Sequence, residues 1–272
     1  MLFPSVFLST PVAHRGLHDL TALRPENSLS AVKAAVAAGY GVEIDVQLSA
    51  DGRPMVIHDP TLDRTTEATG PVRAHTAQEL GKIALRNSAG ETVSTLADAL
   101  AAIDGQVPLL LEIKDTSGDL GAGVGGLEAA VAREIAGYDG PLAVMSFNPH
   151  SMAAMARLAP DVPRGLITCD FVNVTFLQAP PARLAELALI PDYGRVGACF
   201  VSHHWKDLDN PLLARLRIKG ASVLTWTIKS HKQAAKVSGR VDNITFEHFL
   251  PGKAEAPGAS ARQATKCKRS GI

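Results

Sequence analysis

The chain reads Val42-Glu43-Ile44-Asp45-Val46 in one apolar stretch and Leu109-Leu110-Leu111-Glu112-Ile113-Lys114 in another. Both stretches are rich in branched apolar residues and have the length of a buried strand. Successive side chains of a strand point to opposite faces, so Glu43 and Asp45 share one face, and Glu112 and Lys114 share another. The sequence therefore predicts two buried strands, each with a charged face.

On both sides of these stretches, short apolar runs alternate with Ala- and Leu-rich segments of helical period, which is typical of βα units. Eight strand positions can be counted, at residues 12–14, 42–47, 109–114, 142–147, 164–168, 199–203, 222–228 and 243–246. Seven helical segments lie between them, at 28–38, 96–103, 127–136, 149–158, 182–189, 211–218 and 231–237. In a chain of 272 residues, this count predicts an α/β fold of the (β/α)₈ TIM barrel type.

Two segments depart from the alternation. Residues 59–95 follow the second strand and a further extended piece at 54–58; they are polar, contain Gly70-Pro71 and show no clean strand, which indicates a small insertion. The sequence from 252 onward is rich in Ala, Gly, Lys and Ser without periodicity, which is typical of a flexible tail. We expect one domain over residues 1–251, with the insertion at about 59–95, and a tail at 252–272.

The charge balance and the cysteine content of the sequence indicate which partners and which cellular compartment to expect. Lys+Arg and Asp+Glu number 27 each, so no global charge attracts nucleic acid or an anionic membrane. The three cysteines form no CxxC pair, which favours a reducing compartment over a disulfide framework. No apolar stretch reaches the roughly 18 residues of a membrane-spanning helix. We expect a soluble, cytoplasmic protein without stable membrane insertion, and its oligomeric state stays open.

The charged faces of the two strands are the best candidate for a metal site. An ionised side chain within an apolar strand destabilises the fold unless it is paired or binds a metal. Glu43, Asp45 and Glu112 offer the oxygen ligands that Mg²⁺ and Ca²⁺ prefer. The alternative is a buried Glu-Lys ion pair that serves only the fold, but two such strands disfavour it. We expect one divalent cation, Mg²⁺ or Ca²⁺.

Two histidines end predicted extended segments: His14 follows the first strand, and His58 ends the piece at 54–58. Either alone could be structural, but the carboxyl ends of barrel strands are where barrel enzymes assemble their sites. Two imidazoles there can act as general base and general acid. Arg15 and Lys114 can bind phosphate oxygens, Arg15 through its planar fork and Lys114 as a point charge.

Seven short motifs occur in the order found in the glycerophosphodiester phosphodiesterases, which the chain resembles from about residue 12 to 250. They are His14-Arg15-Gly16, Pro25-Glu26-Asn27-Ser28, Glu43-x-Asp45, His58-Asp59, Arg64-Thr65-Thr66, Glu112-Ile113-Lys114 and Trp226-Thr227. The resemblance implies a (β/α)₈ barrel with a small insertion after the second strand. It also implies hydrolysis of a small-molecule glycerophosphodiester to glycerol 3-phosphate and an alcohol.

The resemblance also implies a role for each matching residue. The positions matching Glu43, Asp45 and Glu112 hold a divalent cation, those matching His14 and His58 form the acid/base pair, and those matching Arg15 and Lys114 contact phosphate. Glu26 and Asn27 complete the surroundings of the cation or the first loop. Trp226 either flanks the glycerol or belongs to the core.

Two segments differ from the family pattern. The last strand usually reads Asp-Gly-Ile-x-Thr-Asp-x-Pro in the family, whereas Asp242 to Phe249 lack the Gly, the second Asp and the Pro. We expect this loop to affect the choice of alcohol more than the chemistry. The apolar stretch from Phe171 to Leu177 is either a hydrophobic substrate wall or a loop packed on the core, and buried packing is the commoner outcome.

Other histidines fit the site less well. His203 and His204 follow each other on one strand, so at most one can face the site. His18 and His75 are expected at the surface.

Two other functions remain open. A phospholipase D-like lyase on the same barrel would act on lysophospholipids and use the Phe171 to Leu177 stretch as an apolar rim. A non-catalytic phosphate-binding barrel would lack a histidine or a metal carboxylate, and none is missing here. The sequence does not decide between attack by a substrate hydroxyl, through a cyclic phosphate, and attack by water.

Overall fold

The computed structural model describes residues 2–172 and 179–252. The strands in this part of the chain are β1 (Val12–Ala13), β2 (Gly41–Leu48), β3 (Pro54–Val56), β4 (Leu109–Ile113), β5 (Leu142–Ser146), β6 (Arg164–Thr168), β7 (Phe200–His204), β8 (Ser222–Ile228) and β9 (Asn243–Phe246). The helices are α1 (Val6–Ser9), α2 (Leu29–Ala38), α3 (Ala77–Leu80), α4 (Leu96–Ile103), α5 (Gly126–Ile135), α6 (Pro149–Leu158), α7 (Pro181–Leu187), α8 (Pro211–Ile218) and α9 (His231–Val237).

Eight of the strands form a closed parallel barrel. Strands β1, β2 and β4 to β9 pair in chain order, and β1 closes the ring by pairing with both β2 and β9. Strand β3 is antiparallel to β2 and lies outside the ring, so the extended piece at 54–58 is an addition to the barrel wall. The predicted (β/α)₈ TIM barrel is confirmed, and all the carboxyl ends of its strands open at one mouth.

Alternate residues of the strands fill two separate cores. One set packs outward against the helices, as Val42, Ile44 and Val46 do in β2. The other set points into the barrel and meets Phe3 and Phe7 from the amino-terminal segment, with the Phe3 and Phe200 rings 4.3 Å apart. The α1 segment therefore seals the end of the barrel opposite the mouth.

The loop after β1 is held against α2. Ser28 begins α2 by accepting a hydrogen bond from the Ala31 amide, and Gly39 ends it in the left-handed region. Gly16 has a φ of +75°, and a Cβ there would lie 2.8 Å from the Ala31 backbone. Only glycine fits this turn without displacement, so the turn that carries His14 and Arg15 lies tightly on the helix.

Residues 59–95 form the lobe that the sequence indicated, between β3 and α4. The lobe has its own apolar cluster, which includes Leu62, Val72, Leu80 and Leu85 and packs on Met55 of β3. Its short helix α3 begins at Thr76, with a reciprocal capping box to Glu79. Isolated antiparallel bridges hold the rest of it together.

The apolar stretch after β6 is described only in part. Phe171 is buried and packs with Cys169, Ala179 and Leu187, so for this residue the packed-loop interpretation holds. Val174, Phe176 and Leu177 lie outside the described residues, as does the expected tail at 252–272 apart from Gly252. No helix in the described ranges is long and apolar enough to cross a membrane.

Candidate active site

Three carboxylates converge at the mouth of the barrel. Glu43 and Asp45 lie two apart on β2, and Asp45 is in register with Glu112 on the neighbouring β4. All three side chains are buried, and one oxygen from each lies within 4.8 Å of the others. The spacing read from the sequence thus places the three groups within reach of one shared ion.

The chemistry of this donor set fits a divalent cation. Glu43 Oε2 accepts a hydrogen bond of 2.8 Å from the Arg15 amide, whereas its Oε1 is buried without a partner among the described residues. Burial, followed by repulsion from Asp45 and Glu112, raises the pKa of Glu43 well above its usual value. A divalent cation beside Glu43 would supply the missing partner and offset the repulsion.

Two basic side chains, Lys114 and Arg15, form ion pairs with the same carboxylates. Lys114 Nζ is 2.7 Å from Asp45 Oδ1 and 2.6 Å from Glu112 Oε1, and Arg15 Nε is 3.5 Å from Asp45 Oδ2. Burial opposes ionisation of Asp45, but nearby Lys114, with His58 and Arg15, lowers its pKa well below the usual range. The Glu-Lys ion pair considered as an alternative is present, yet it leaves Glu43 Oε1 unpartnered.

His14 lies directly after β1, and a carboxylate forms a hydrogen bond to its ring. Its Nδ1 is 2.7 Å from Glu247 Oε2, and its amide donates to the Phe246 carbonyl. A carboxylate only accepts hydrogen bonds, so the neutral imidazole carries its proton on Nδ1 and leaves Nε2 unprotonated. Burial is the main reason that the pKa of His14 falls to about 4, so the ring is neutral near pH 7.

His58 lines the same cavity, at the point where the chain enters the lobe. Its Nδ1 is 2.6 Å from Asp59 Oδ1, so this ring also has a carboxylate partner behind it. Arg64 holds Asp59 in turn, with Nε 2.6 Å from Asp59 Oδ2 and two contacts of 2.8 Å to Glu26. The lobe therefore contributes to the orientation of His58.

Glu26 and Asn27 occupy the loop after β1, as the family pattern implies. Glu26 Oε1 accepts a 2.7 Å hydrogen bond from Arg15, and burial of Glu26 is outweighed by Arg64 and Arg15, so its pKa falls to about 2. Asn27 donates to Asp45 Oδ2 at 2.9 Å and accepts from the Asp45 amide. Both residues orient the groups around the carboxylates.

A cavity of about 860 Å³ opens over these groups. His14, Arg15, Glu43, His58, Glu112 and Lys114 line its polar part. Its remaining wall combines the lobe, the loop at 115–120 and apolar residues of the barrel interior, including Met145, Phe147, Ile167 and Trp226.

The Trp226 indole donates to the Ser202 carbonyl at 2.9 Å and meets the Phe147 ring edge-to-face. Trp226 is therefore both packed and exposed to the cavity.

His203 does not belong to this cavity. Its ring is fully buried between Thr168 Oγ1, at 2.7 Å, and Asp207 Oδ2, at 3.0 Å. The cavity beside Thr168 measures about 10 Å³, which leaves no room for a substrate. These hydrogen bonds join the carboxyl ends of β6 and β7 to each other and to the segment that follows β7.

The sequence assigns no individual role to three charged residues that the structure places around the histidines, which are Asp59, Arg64 and Glu247. Asp59 and Arg64 belong to two of the motifs shared with the family, and this membership is the feature of the sequence that could have pointed to them. Glu247 lies in the loop at 242–249, which the sequence relates to the choice of alcohol, and the structure places its carboxylate 2.7 Å from His14 Nδ1. His18 had been expected at the surface, which is wrong: its ring is 11% exposed and lies 3.6 Å from Glu247.

A closed parallel barrel with carboxylates, imidazoles and basic groups around one cavity is typical of enzymes that cleave phosphate esters. The sequence model of the glycerophosphoryl diester phosphodiesterase family matches residues 14–248 of this chain, and the chain belongs to that family.

Individual relatives agree with this assignment. A glycerophosphodiester phosphodiesterase from Caldanaerobacter subterraneus is 35% identical over 171 residues, which are 60% of this chain and 68% of the relative. A phosphodiesterase from Oleispira antarctica, solved with the product sn-glycerol-3-phosphate, superposes with a TM-score of 0.71 at 27% identity and covers 89% of this chain and 93% of its own. A Thermotoga maritima glycerophosphodiester phosphodiesterase, at 21% identity and a TM-score of 0.64, covers 87% and 94% and supports the fold.

Proposed function

We propose that the chain hydrolyses glycerophosphodiesters to glycerol 3-phosphate and an alcohol, with one divalent cation and two histidines. The observation that carries this proposal is the convergence of Glu43, Asp45 and Glu112 beside two imidazoles over one cavity. The glycerol 3-phosphate bound to the Oleispira antarctica relative supports the product on the phosphate side. Residues 1–251, including the lobe, would act as one catalytic domain.

Glu43, Asp45 and Glu112 would hold the cation, Mg²⁺ or Ca²⁺, which would acidify the attacking hydroxyl and stabilise the charge that develops on the phosphoryl oxygens. Arg15 and Lys114 would bind the same phosphate group from the cavity wall. Their cationic heads already lie at the carboxylate cluster, 2.6 to 3.5 Å from its oxygens, so they need little reorganisation. Glu26 and Asn27 would keep Arg15 and Asp45 in place, and Trp226 would flank the glycerol.

His14 would act as the base. Its pKa of about 4 leaves Nε2 unprotonated at neutral pH, ready to take the proton of the attacking hydroxyl. That hydroxyl belongs to water, or to the glycerol carbon next to the ester. In the second case the product of the step is a cyclic phosphate, and water must open it in a further step to give glycerol 3-phosphate. As the oxygen of the attacking hydroxyl bonds to phosphorus, the bond from phosphorus to the alcohol oxygen breaks. His58 would donate the proton that the departing alkoxide needs, with Asp59 behind its ring.

The alternatives find less support. A lyase for lysophospholipids needs an apolar rim, and Phe171, which was one candidate for it, is packed beneath its loop. A non-catalytic barrel would be expected to lack part of the polar constellation, and His14, His58 and the three carboxylates all line or adjoin the cavity.

Replacing each histidine tests the proposal directly. His14→Ala and His58→Ala should each lower kcat by about 10²-fold or more, because general acid/base groups typically contribute that much. Turnover should be followed on glycerophosphocholine, glycerophosphoethanolamine and glycerophosphoinositol with Mg²⁺ and with Ca²⁺, and circular dichroism should show that each variant is folded. His75→Ala, in the lobe, is the matched control. Near wild-type turnover in a folded His14→Ala or His58→Ala protein would remove that histidine from the mechanism.

A further inference from the structure

We propose that Glu247 is the positioning residue for His14: it fixes the ring and keeps the His14 proton on Nδ1, so that Nε2 faces the substrate as a base. The inference rests on the proposed role of His14. Glu247 directly follows β9, and its side chain is 9% exposed. It is therefore a nearly buried carboxylate beside the proposed base.

The two oxygens of Glu247 have different partners. Oε2 lies 2.7 Å from His14 Nδ1 and 3.6 Å from His18 Nε2. Oε1 lies 2.5 Å from Lys229 Nζ and 3.3 Å from His248 Nε2. Lys229 thus holds one oxygen and leaves the other directed at His14. Burial opposes ionisation of Glu247, but its hydrogen bonds to His14, His18 and Lys229 lower its pKa.

The backbones on both sides of this contact are fixed by the barrel. The Glu247 amide donates to the Ile228 carbonyl at the end of β8, and the His14 amide donates to the Phe246 carbonyl at the end of β9. Both hydrogen bonds measure 2.9 Å. Because neither backbone can shift without breaking a strand contact, the position of the His14 ring depends on the Glu247 side chain.

The charge of Glu247 matters beyond its position. When His14 takes up a proton during the reaction, an anion 2.7 Å from Nδ1 stabilises the imidazolium. A neutral glutamine could still accept from Nδ1, but it would not provide that stabilisation. Its amide nitrogen could also face the ring, and then the proton would move to Nε2, where it blocks base catalysis.

Glu247→Gln should therefore lower kcat by at least about 10-fold, with little change in KM, because Glu247 lies behind the ring and does not line the cavity. Nitrogen NMR of histidine-labelled protein should show His14 protonated on Nδ1 in the wild type and a growing Nε2-protonated population in the variant. Glu134→Gln, which removes a carboxylate paired with Arg53 at 2.9 Å outside the cavity, is the control and should change neither readout.

Each outcome is decisive. A folded Glu247→Gln protein with wild-type kcat and an unchanged His14 tautomer overturns the inference. If the variant unfolds, Lys229→Met is the second test: it releases only Oε1 and should lower kcat with the same tautomer change, and wild-type behaviour there overturns the inference as well. If His14→Ala itself retains wild-type turnover, the proposed function fails first, which the His14→Ala control separates from a failure at Glu247 alone.

Discussion

At the residue scale, burial sets the protonation state of His14, and this has a measurable consequence for stability. The pKa of His14 falls from 6.5 to about 4 in the folded chain, mainly through burial. Between these values the unfolded chain binds a proton that the folded chain does not bind. The free energy of unfolding should therefore fall as the pH is lowered from 6.5 towards 4, by about 2 kcal/mol at pH 5.

Urea unfolding at pH 7 and pH 5, with a chelator present, measures this effect. The wild type should lose more stability between the two pH values than His14→Asn, which lacks the titrating group. Equal losses in the two proteins would show that the His14 pKa is not depressed in the folded state.

The sequence predicted some residues of the site better than others. Glu43, Asp45 and Glu112 could be placed together because strand parity and neighbouring strands fix their direction. The contact between His14 and Glu247 spans 233 positions and exists because β9 closes the ring on β1, which no local pattern records.

At the scale of the elements, β2 and β4 hold three carboxylates together against their mutual repulsion. Burial and the neighbouring acids raise the pKa of Glu43, so the carboxylate destabilises the cation-free protein. Glu43→Gln keeps the size and the acceptor for the Arg15 amide. It should match or exceed the wild-type melting temperature in a chelator, because it relieves this repulsion.

The same variant should lose its response to the cation. Mg²⁺ or Ca²⁺ at 100 times its dissociation constant should stabilise the wild type by about 2.7 kcal/mol, while Glu43→Gln should gain much less. Thermal unfolding with and without each cation measures both effects, and Glu134→Gln should respond as the wild type does. A Glu43→Gln protein that is strongly destabilised in chelator, or that is stabilised fully by the cation, would exclude the proposed ligand role.

Most elements could be predicted because each strand and helix carries its own period, and the helix Leu96–Ile103 matches its predicted bounds. Two short α-helices in the described part of the chain were missed. Val6–Ser9 and Ala77–Leu80 have four residues each. This is about one helical turn, and a periodic pattern of apolar residues can be recognised only over several turns. The role of Val6–Ser9 follows from packing inside the barrel and not from its sequence.

At the scale of the whole molecule, the two ends of the barrel contribute differently to stability and to the site. The end sealed by Phe3 and Phe7 contributes buried apolar surface, while the mouth holds buried charges that cost stability. The lobe forms part of the mouth, because Arg64 of the lobe bonds both to Asp59, beside His58, and to Glu26 in the loop after β1. This division explains why the chemistry-bearing residues lie near strand ends that are distant in sequence.

The most direct test of cation-dependent hydrolysis is phosphorus NMR of glycerophosphocholine incubated with the chelator-treated protein. Without a divalent cation the diester signal should persist, and on addition of Mg²⁺ or Ca²⁺ it should be replaced by that of glycerol 3-phosphate. An equal rate of cleavage in excess chelator would contradict the role of the carboxylate cluster. A cyclic phosphate that accumulates as the final product would contradict hydrolysis and favour a lyase.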